Sequence, residues 1–400
     1  MQLGIYGWDE QIKAVVEAAL AEGERIVLAC DLLEEDAAGL PAGCRRATSW
    51  EAVVDENSCE AVLVGRRTAG GDRDEGLRKL VQAGRRLLLS HPATESMLLA
   101  FELDMIRADT AAILLPCLPD RLHPFAAAAR RVIEASLAEA SPIGRLEAIL
   151  FARPLPDRER TAVLAAFARD ADLIRVLTGD PQRLATLGSV AGEAAYANLT
   201  VELGSGSQLP IRWQVSPGEG DATLTIRGDA GEVVISIGRD WRWEGPFEPD
   251  GPGDDTGPAR MLGLLAAAVR GEPTTVVAAG EAITPADWPD AARAIELAEA
   301  VPRSLAKGRA IDLHQEEFSE IGTFKGTMAS LGCGLVLAAL LVLLLATLVG
   351  GIAREAGWEI GERVASAWPL VVLAVLAGFL ALQALPMLVA PPNRKPPRDS

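Results

Sequence analysis

The chain has 400 residues, 49% of them hydrophobic, enough for two domains of ordinary size, each with its own core. Its net charge is −17, and all of the acidic excess lies before residue 330, which excludes a nucleic-acid partner because phosphate contacts need a basic face. Five widely spaced cysteines without a CxxC pair argue against a disulfide framework and against a metal site.

The start, MQLGIYGWDEQ, has no basic stretch followed by a long apolar one, so it does not read as a secretion signal and is expected to stay in the cytosol. Residues 2–7 read as a buried strand entering a turn. Asp9 then caps a helix whose apolar positions Ile12, Val15, Val16, Ala19 and Leu20 share one face. A strand over 25–30 ends at Asp31. Another strand falls at 60–65, a helix at about 74–83, and a strand at 87–89 that runs into a polar turn holding His91. Strands alternating with helices predict a parallel sheet covered on both faces.

A strand, a glycine turn, a helix and an acid after the second strand make the layout of a dinucleotide-binding unit. The GxGxxG frame falls on Gly7, Asp9 and Ile12, so only its first glycine is kept. Asp9 sets a carboxylate where backbone would approach a pyrophosphate, and it can occupy the helix N–H groups itself. Asp31 stands where an acid would accept from ribose hydroxyls, or is a solvated strand end. As a ribose acceptor it favours NAD, since a 2′-phosphate would meet a like charge.

Further on, ATLTIRG and EVVISIG over 222–238 form a hairpin around a glycine-containing turn. Trp241 and Trp243 alternate on one strand face and are expected to cover the sheet rather than stack on a sugar. A polar loop at 250–257 precedes an amphipathic helix at 258–270, with Met261, Leu264, Leu265 and Val269 on its apolar side. The sequon at Asn198 has no use in a cytoplasmic chain.

Residues 314–329 read as a linker. The runs 331–352 and 368–390 contain no charged residue and are each long enough to cross a ~30 Å hydrocarbon core. The short link between them holds Arg354, Glu355, Glu359, Glu362 and Arg363, so residues 330–391 are expected to form a two-helix transmembrane hairpin. The basic tail 392–400, with Arg394, Lys395 and Arg398, places both ends in the cytoplasm. The expectation is an inner (cytoplasmic) membrane protein whose large domain faces the cytoplasm and whose hairpin has the lipid bilayer as partner.

Six stretches, in order, resemble segments of the Gfo/Idh/MocA oxidoreductases. WEAVVDENSCEAVLVG (50–65) is similar to a helix and fourth strand of that family. GRRLLLSHP (84–92) resembles its strand and Glu-Lys-Pro turn. DRLHP (120–124) resembles the opening of its second domain. ADLIRVLTGDP (171–181) resembles its helix ending in an LxGxP turn, TIRGDAGEVV (225–234) its hairpin, and RSLAKGRAIDL (303–313) its closing helix and strand. The resemblance implies an α/β chain: a Rossmann domain over 1–119 and an α+β domain over 120–313 built on a large, mostly antiparallel sheet. It implies NAD or NADP as cofactor, a sugar or related polyol as ligand, and a homo-oligomer formed through the second sheet.

The same resemblance supplies the candidate site. The family's turn Glu and Lys fall on Ser90 and His91, and its proline on Pro92. Its catalytic His falls on Arg169, the Asp four residues earlier on Ala165, and the acid three residues later on Asp172. The candidate catalytic set is therefore His91, Arg169 and Asp172, and the candidate cofactor set Gly7, Trp8, Asp9, Asp31, Ser90 and Pro92. His91 is the residue suited to act as base near neutral pH. Arg169 stays protonated, so it can bind an anionic group but cannot be a base. Its simpler role is a pair with Asp172 at i+3. His123 is expected to order a loop. The leading expectation is a protein that binds NAD(P) or a sugar-like ligand with dehydrogenase chemistry impaired or lost. The rivals are an active NAD(P)-dependent oxidoreductase using His91 and a membrane-tethered scaffold with no cofactor.

Overall fold

The structure is a computed structural model that describes residues 1–313, apart from 56, 71, 189–192, 205–208, 239–240, 248–255, 275 and 279–280. Beyond them it describes Leu345, Thr347, Leu348 and Glu355. The chain divides into two compact units, Met1–His314 and Gln315–Ser400. The linker, the two expected spans and the tail lie, but for those four residues, outside the described part. Among the described residues no helix is long and apolar enough to cross a membrane.

Six parallel strands form the first sheet: β1 (Gln2–Tyr6), β2 (Arg25–Cys30), β3 (Arg45–Ala47), β4 (Ala61–Val64), β5 (Arg86–Ser90) and β6 (Ile113–Cys117). Their order is β3-β2-β1-β4-β5-β6, so the chain reverses direction across the sheet between β1 and β4. The helices of this part are α1 (Glu10–Ala21), α2 (Glu34–Ala37), α3 (Glu51–Val54), α4 (Arg73–Gln82) and α5 (Met97–Ala108). AVLV of β4 is buried on both faces, which is why its side chains do not alternate. On α1, Ile12, Val15, Val16 and Ala19 are buried as their spacing predicts, while Leu20, at the edge of that face, is 40% exposed.

The second part begins with a 3-10 turn, Pro119–Leu122, and continues through α6 (Pro124–Leu137), β7 (Leu146–Leu155), α7 (Arg160–Thr178), β8 (Arg183–Leu187), β9 (Thr200–Gly204) and β10 (Pro210–Pro217). The expected hairpin is β11 (Ala222–Gly228) and β12 (Glu232–Ile237), followed by β13 (Trp243–Glu244). The rest comprises α8 (Gly257–Arg270), the small pair β14 (Val276–Ala278) and β15 (Glu281–Ile283), α9 (Trp288–Lys307) and β16 (Ile311–Asp312). The second sheet runs β13-β12-β11-β7-β10-β9-β8-β16, and only β7 and β10 pair in parallel. It is the mostly antiparallel sheet that the sequence resemblance implies. Phe151, Phe167 and Trp213 centre its core, and the Trp213 Nε1 donates to Asp170 at 2.8 Å.

Two late helices do not respect the order of the chain. Met261, Leu262, Leu264 and Leu265 of α8 pack with Ile5, Ile12 and Val15 of the first sheet and α1. Trp288 at the start of α9 packs in the core of the first sheet and donates to the Ala100 carbonyl at 3.0 Å. Farther along, Leu297, Ala300 and Val301 of the same helix enter the core of the second sheet. Helix α9 thus belongs to both cores.

Candidate functional site

In open parallel sheets, ligands sit beyond the carboxyl ends of the strands, where the strand order reverses. Here that place is the loop after β1 and the loop after β4. Gly7 takes φ +70°, and a Cβ there would lie 2.8 Å from the Arg67 carbonyl. Trp8 N donates to Arg67 O at 2.7 Å, and Arg67 N donates back to Trp8 O at 3.1 Å. The two loops are therefore stitched together by a short antiparallel bridge. Gly65 is needed for this approach, because a Cβ on it would meet Trp8 N at 2.4 Å.

Asp9 caps α1. Its Oδ1 accepts from Ile12 N at 3.0 Å and from the Ser90 hydroxyl at 2.8 Å, and its Oδ2 accepts from Arg66 N at 2.8 Å. The positive end of a helix is the usual anion site of such folds. In this chain it already holds a carboxylate with three donors. Ser90 also lies 3.0 Å from Gln11 Oε1, which accepts from His91 N at 2.8 Å. Gly7, Trp8, Asp9 and Ser90, four of the candidate cofactor residues, are thus engaged with one another and with neighbouring backbone. The residues present do not fit the pyrophosphate of a dinucleotide.

Asp31 lies elsewhere. It closes β2 in a left-handed conformation, φ +56°, and its Oδ1 accepts from Gly70 N at 2.9 Å. It lines a cavity of about 580 Å³ with Ala29, Arg46, Thr48, Ser49 and Trp50. Its carboxylate is buried, so the alternative of a solvated strand end is corrected.

His91 joins buried Pro92 through a cis peptide bond, and its ring is wholly inside the protein. Both ring nitrogens are closed to solvent, and the Ala168 backbone faces the ring. Burial, with Arg169, Arg66 and Arg121 nearby, pushes its pKa down to about 3. The general base expected at His91 therefore needs correction, because a substrate cannot touch a ring nitrogen that the surface does not reach. Asp172 is likewise corrected. Its two oxygens accept from Arg121 at 3.0 and 2.8 Å, and Arg121 also binds Asp290 at 2.6 Å. The resulting cluster, with Arg175 on Asp290, ties the 3-10 turn, α7 and α9 together. Asp172 lies only 3.7 Å from Arg175 and does not pair with Arg169.

Arg169 has no hydrogen bond or ion pair among the described residues. It is partly exposed and shares the carboxyl edge of β4, β5 and β6 with Arg66, His91 and Cys117. Burial and the neighbouring Arg153 guanidinium lower its pKa, as does Arg66. Arg153 itself is taken by Asp170. Asp120, on the 3-10 turn after β6, is the group that the candidate set missed. Its carboxyl makes no hydrogen bond among the described residues, and burial with nearby Asp170 raises its pKa to about 6 against the pull of Arg153 and Arg169. The signal was present in DRLHP, which directed attention to its position in the chain and not to the acid itself.

The tryptophans flank His123 and do not share a strand face. Trp243 stacks on the His123 ring at 4.4 Å, and Trp241, at φ +63° outside β13, meets it edge-on at 4.6 Å. His123 Nδ1 accepts from Phe125 N at 3.1 Å and caps α6, so it orders the turn there. Among the described residues no cluster of side chains suits a metal ion.

No protein-family model and no curated protein matches the chain. Solved structures do. A putative myo-inositol dehydrogenase from Sinorhizobium meliloti matches with a TM-score of 0.58 at 19% identity, over 78% of this chain and 100% of its own. An oxidoreductase from Agrobacterium radiobacter, in complex with NAD+, L-tartaric acid and magnesium, matches with a TM-score of 0.57 at 15% identity, over 78% and 98%. Biliverdin reductase from Synechocystis, in complex with biliverdin and NADP+, gives 0.55 at 15% identity, over 76% and 98%. The likeness establishes the fold: the chain has the two-domain fold of the Gfo/Idh/MocA-type oxidoreductases.

Proposed function

We propose that this chain is a membrane-anchored protein that binds a sugar-like ligand on an oxidoreductase fold and has lost hydride transfer. The observation that carries the reading is the Asp9 carboxylate capping α1, which takes the Ile12 N–H and places a negative charge where a pyrophosphate would lie. Loss of the family's Lys and His to a buried His91 and an arginine supports it. The uncharged runs 331–352 and 368–390 support the anchor, with the large domain on the cytoplasmic side of the inner membrane. Copies pair through the second sheet, where Val234 and Leu187 leave apolar surface exposed.

A nucleotide reading has one observation in its favour, the cavity beside Asp31, together with solved neighbours that hold NAD+ or NADP+. Calorimetric titration of NADH and NADPH into the full chain in detergent separates the two. We expect no binding at about 1 mM nucleotide, a concentration that would reveal affinities as weak as about −4 kcal/mol. Asp9→Gly, which frees the helix terminus, is expected to bind more tightly than the parent. Micromolar binding by the unaltered chain would overturn the proposal and return the protein to the cofactor-dependent class, with Asp31 favouring NAD.

A further inference from the structure

A cavity of about 600 Å³ lies in the second part of the chain, among α6, the last turn of α7 and the start of α9. Its volume falls in the range that holds a small organic molecule, ~300–1,000 Å³. Arg121, Arg175 and Asp290 line it, and with buried Asp172 they form a ring of alternating charge. Arg121 binds Asp172 at 3.0 and 2.8 Å and Asp290 at 2.6 Å. Arg175 binds Asp290 at 3.2 Å and lies 3.7 Å from Asp172. Burial raises the Asp172 carboxyl to about 6, so it is ionised at neutral pH and the ring carries no net charge. Arg130, which also lines the cavity, is neutralised by Glu134 at 2.8 Å. Asp180 is left over. Arg175 Nε donates to one of its oxygens, but that arginine already belongs to the ring, and Asp180 has no other hydrogen-bonded partner among the described residues. The lining therefore carries one surplus negative charge.

The wall beside Asp180 adds partial negative charge. Val176, Leu177 and Thr178 line the cavity and end α7. A helix leaves its last four carbonyls without intrahelical partners. Here Arg175 O accepts from Gly179 N at 2.8 Å, and among the described residues no donor reaches the carbonyls of Val176, Leu177 and Thr178. Much of the remaining lining is apolar, with Ile133, Leu137, Leu209 and Ile283.

We infer that this cavity takes a small primary amine, with its ammonium on Asp180 and the α7 carbonyls and its apolar body against Ile133, Leu137 and Leu209. An ammonium brings three donors and no acceptor, which suits a carboxylate and carbonyls with lone pairs to spare. A positive charge is favoured at the C-terminal end of a helix, and the arginine of this last turn spends its guanidinium on acids. An anion would meet Asp180 and the same carbonyls. The cavity shares no lining residue with the loops after β1 and β4, so the inference stands or falls apart from the proposed function.

The test is equilibrium dialysis of 2-phenylethylamine against the full chain in detergent at about pH 7.5, where an alkylamine is protonated, with detergent alone in a parallel cell. 2-Phenylethanol and 3-phenylpropionate present a similar apolar body with a neutral and a negative head. The amine is expected to bind once per chain with a Kd of about 0.1 mM, and the alcohol and the acid roughly tenfold more weakly or worse. Asp180→Asn removes the surplus charge and is expected to weaken the amine about tenfold. Leu137 is 53% exposed, so Leu137→Arg is compatible with the fold, and a cation set beside the site is expected to abolish amine binding. If Asp180→Asn does not fold, Leu137→Arg decides alone. Binding of the acid as tight as that of the amine would overturn the assignment of a cation. Amine binding that both variants leave unchanged would place it elsewhere on the chain and end the proposal. So would the absence of any binding at about 10 mM amine, a concentration that reveals affinities weaker than about −4 kcal/mol.

Discussion

Along the carboxyl edge of the first sheet, the end at β1 and β4 and the end at β5 and β6 are in opposite conditions. At the first, Asp9 satisfies three donors and the loops bridge each other through Trp8 and Arg67. At the second, Arg169 and Asp120 have groups to spare. Both ends are rich in charge, so composition alone does not tell them apart. The difference is whether the chain supplies the partners itself. Where it does, the charges serve the fold. Where it does not, the charges stay without a hydrogen bond or ion pair among the described residues.

Arg121 gives the sharpest way to break this comparison, because it is the paired counterpart of Arg169. Removing it leaves buried Asp172 with no hydrogen-bonded cation, only Arg175 at 3.7 Å, so Arg121→Gln is expected to cost about 3 kcal/mol of unfolding free energy in denaturant titrations. If Arg121→Gln and Arg169→Gln shift stability alike, the distinction between a pinned and an orphan arginine fails.

A smaller effect comes with acid. The His91 pKa in the folded chain, about 3, lies below the ordinary 6.5. Above pH 6.5 the ring is neutral in both states; as pH falls, the unfolded chain takes a proton that the folded chain refuses, and stability is lost. His91→Asn cannot take that proton. Relative to the parent it is expected to gain about 2 kcal/mol between pH 7 and pH 5, at ~1.4 kcal/mol per unit. Stability curves that run parallel across this interval would show that the ring is open to solvent after all. Asp120, with its pKa raised to about 6, works in the other direction: the folded chain binds its proton more tightly, so acid relieves a cost there.

The smallest expected change sharpens the closed end. Asp9→Ala removes the α1 cap and leaves Arg66 N without its acceptor, while the Ser90 hydroxyl keeps Gln11 Oε1 at 3.0 Å, for a loss of about 1–2 kcal/mol by the same denaturant measurement. A neutral result would mean that the carboxylate is tolerated at the helix end rather than used there.

Much of the fold was legible because periodicity reports burial. Ile12, Val15, Val16 and Ala19 disclose α1, and the unbroken aliphatic run of β4 discloses a strand covered on both faces. The hairpin at β11 and β12 was marked by its turn. What the sequence does not carry is partnership across distance. Asp9 could be read as a cap from its position, but its bonds to Arg66 and Ser90 span 57 and 81 residues. Asp172 looked available because its partner Arg121 lies 51 residues away. His91 looked open because a polar turn is usually wet, while α7 from the second part of the chain covers it. Asp120 was passed over for the converse reason: an acid in a loop is ordinarily solvated, and its proximity to Arg153 and Arg169 exists only once the two sheets are assembled.

The cap on α1 also bears on how long the protein lasts. A loop that waits for a nucleotide is steadied only while the nucleotide is present, so the folded fraction of such an enzyme, and its exposure to proteases, follows the supply of its cofactor. Asp9 is part of the chain and present in every copy from the moment of synthesis. The cap on this loop is therefore present whether or not a ligand is bound.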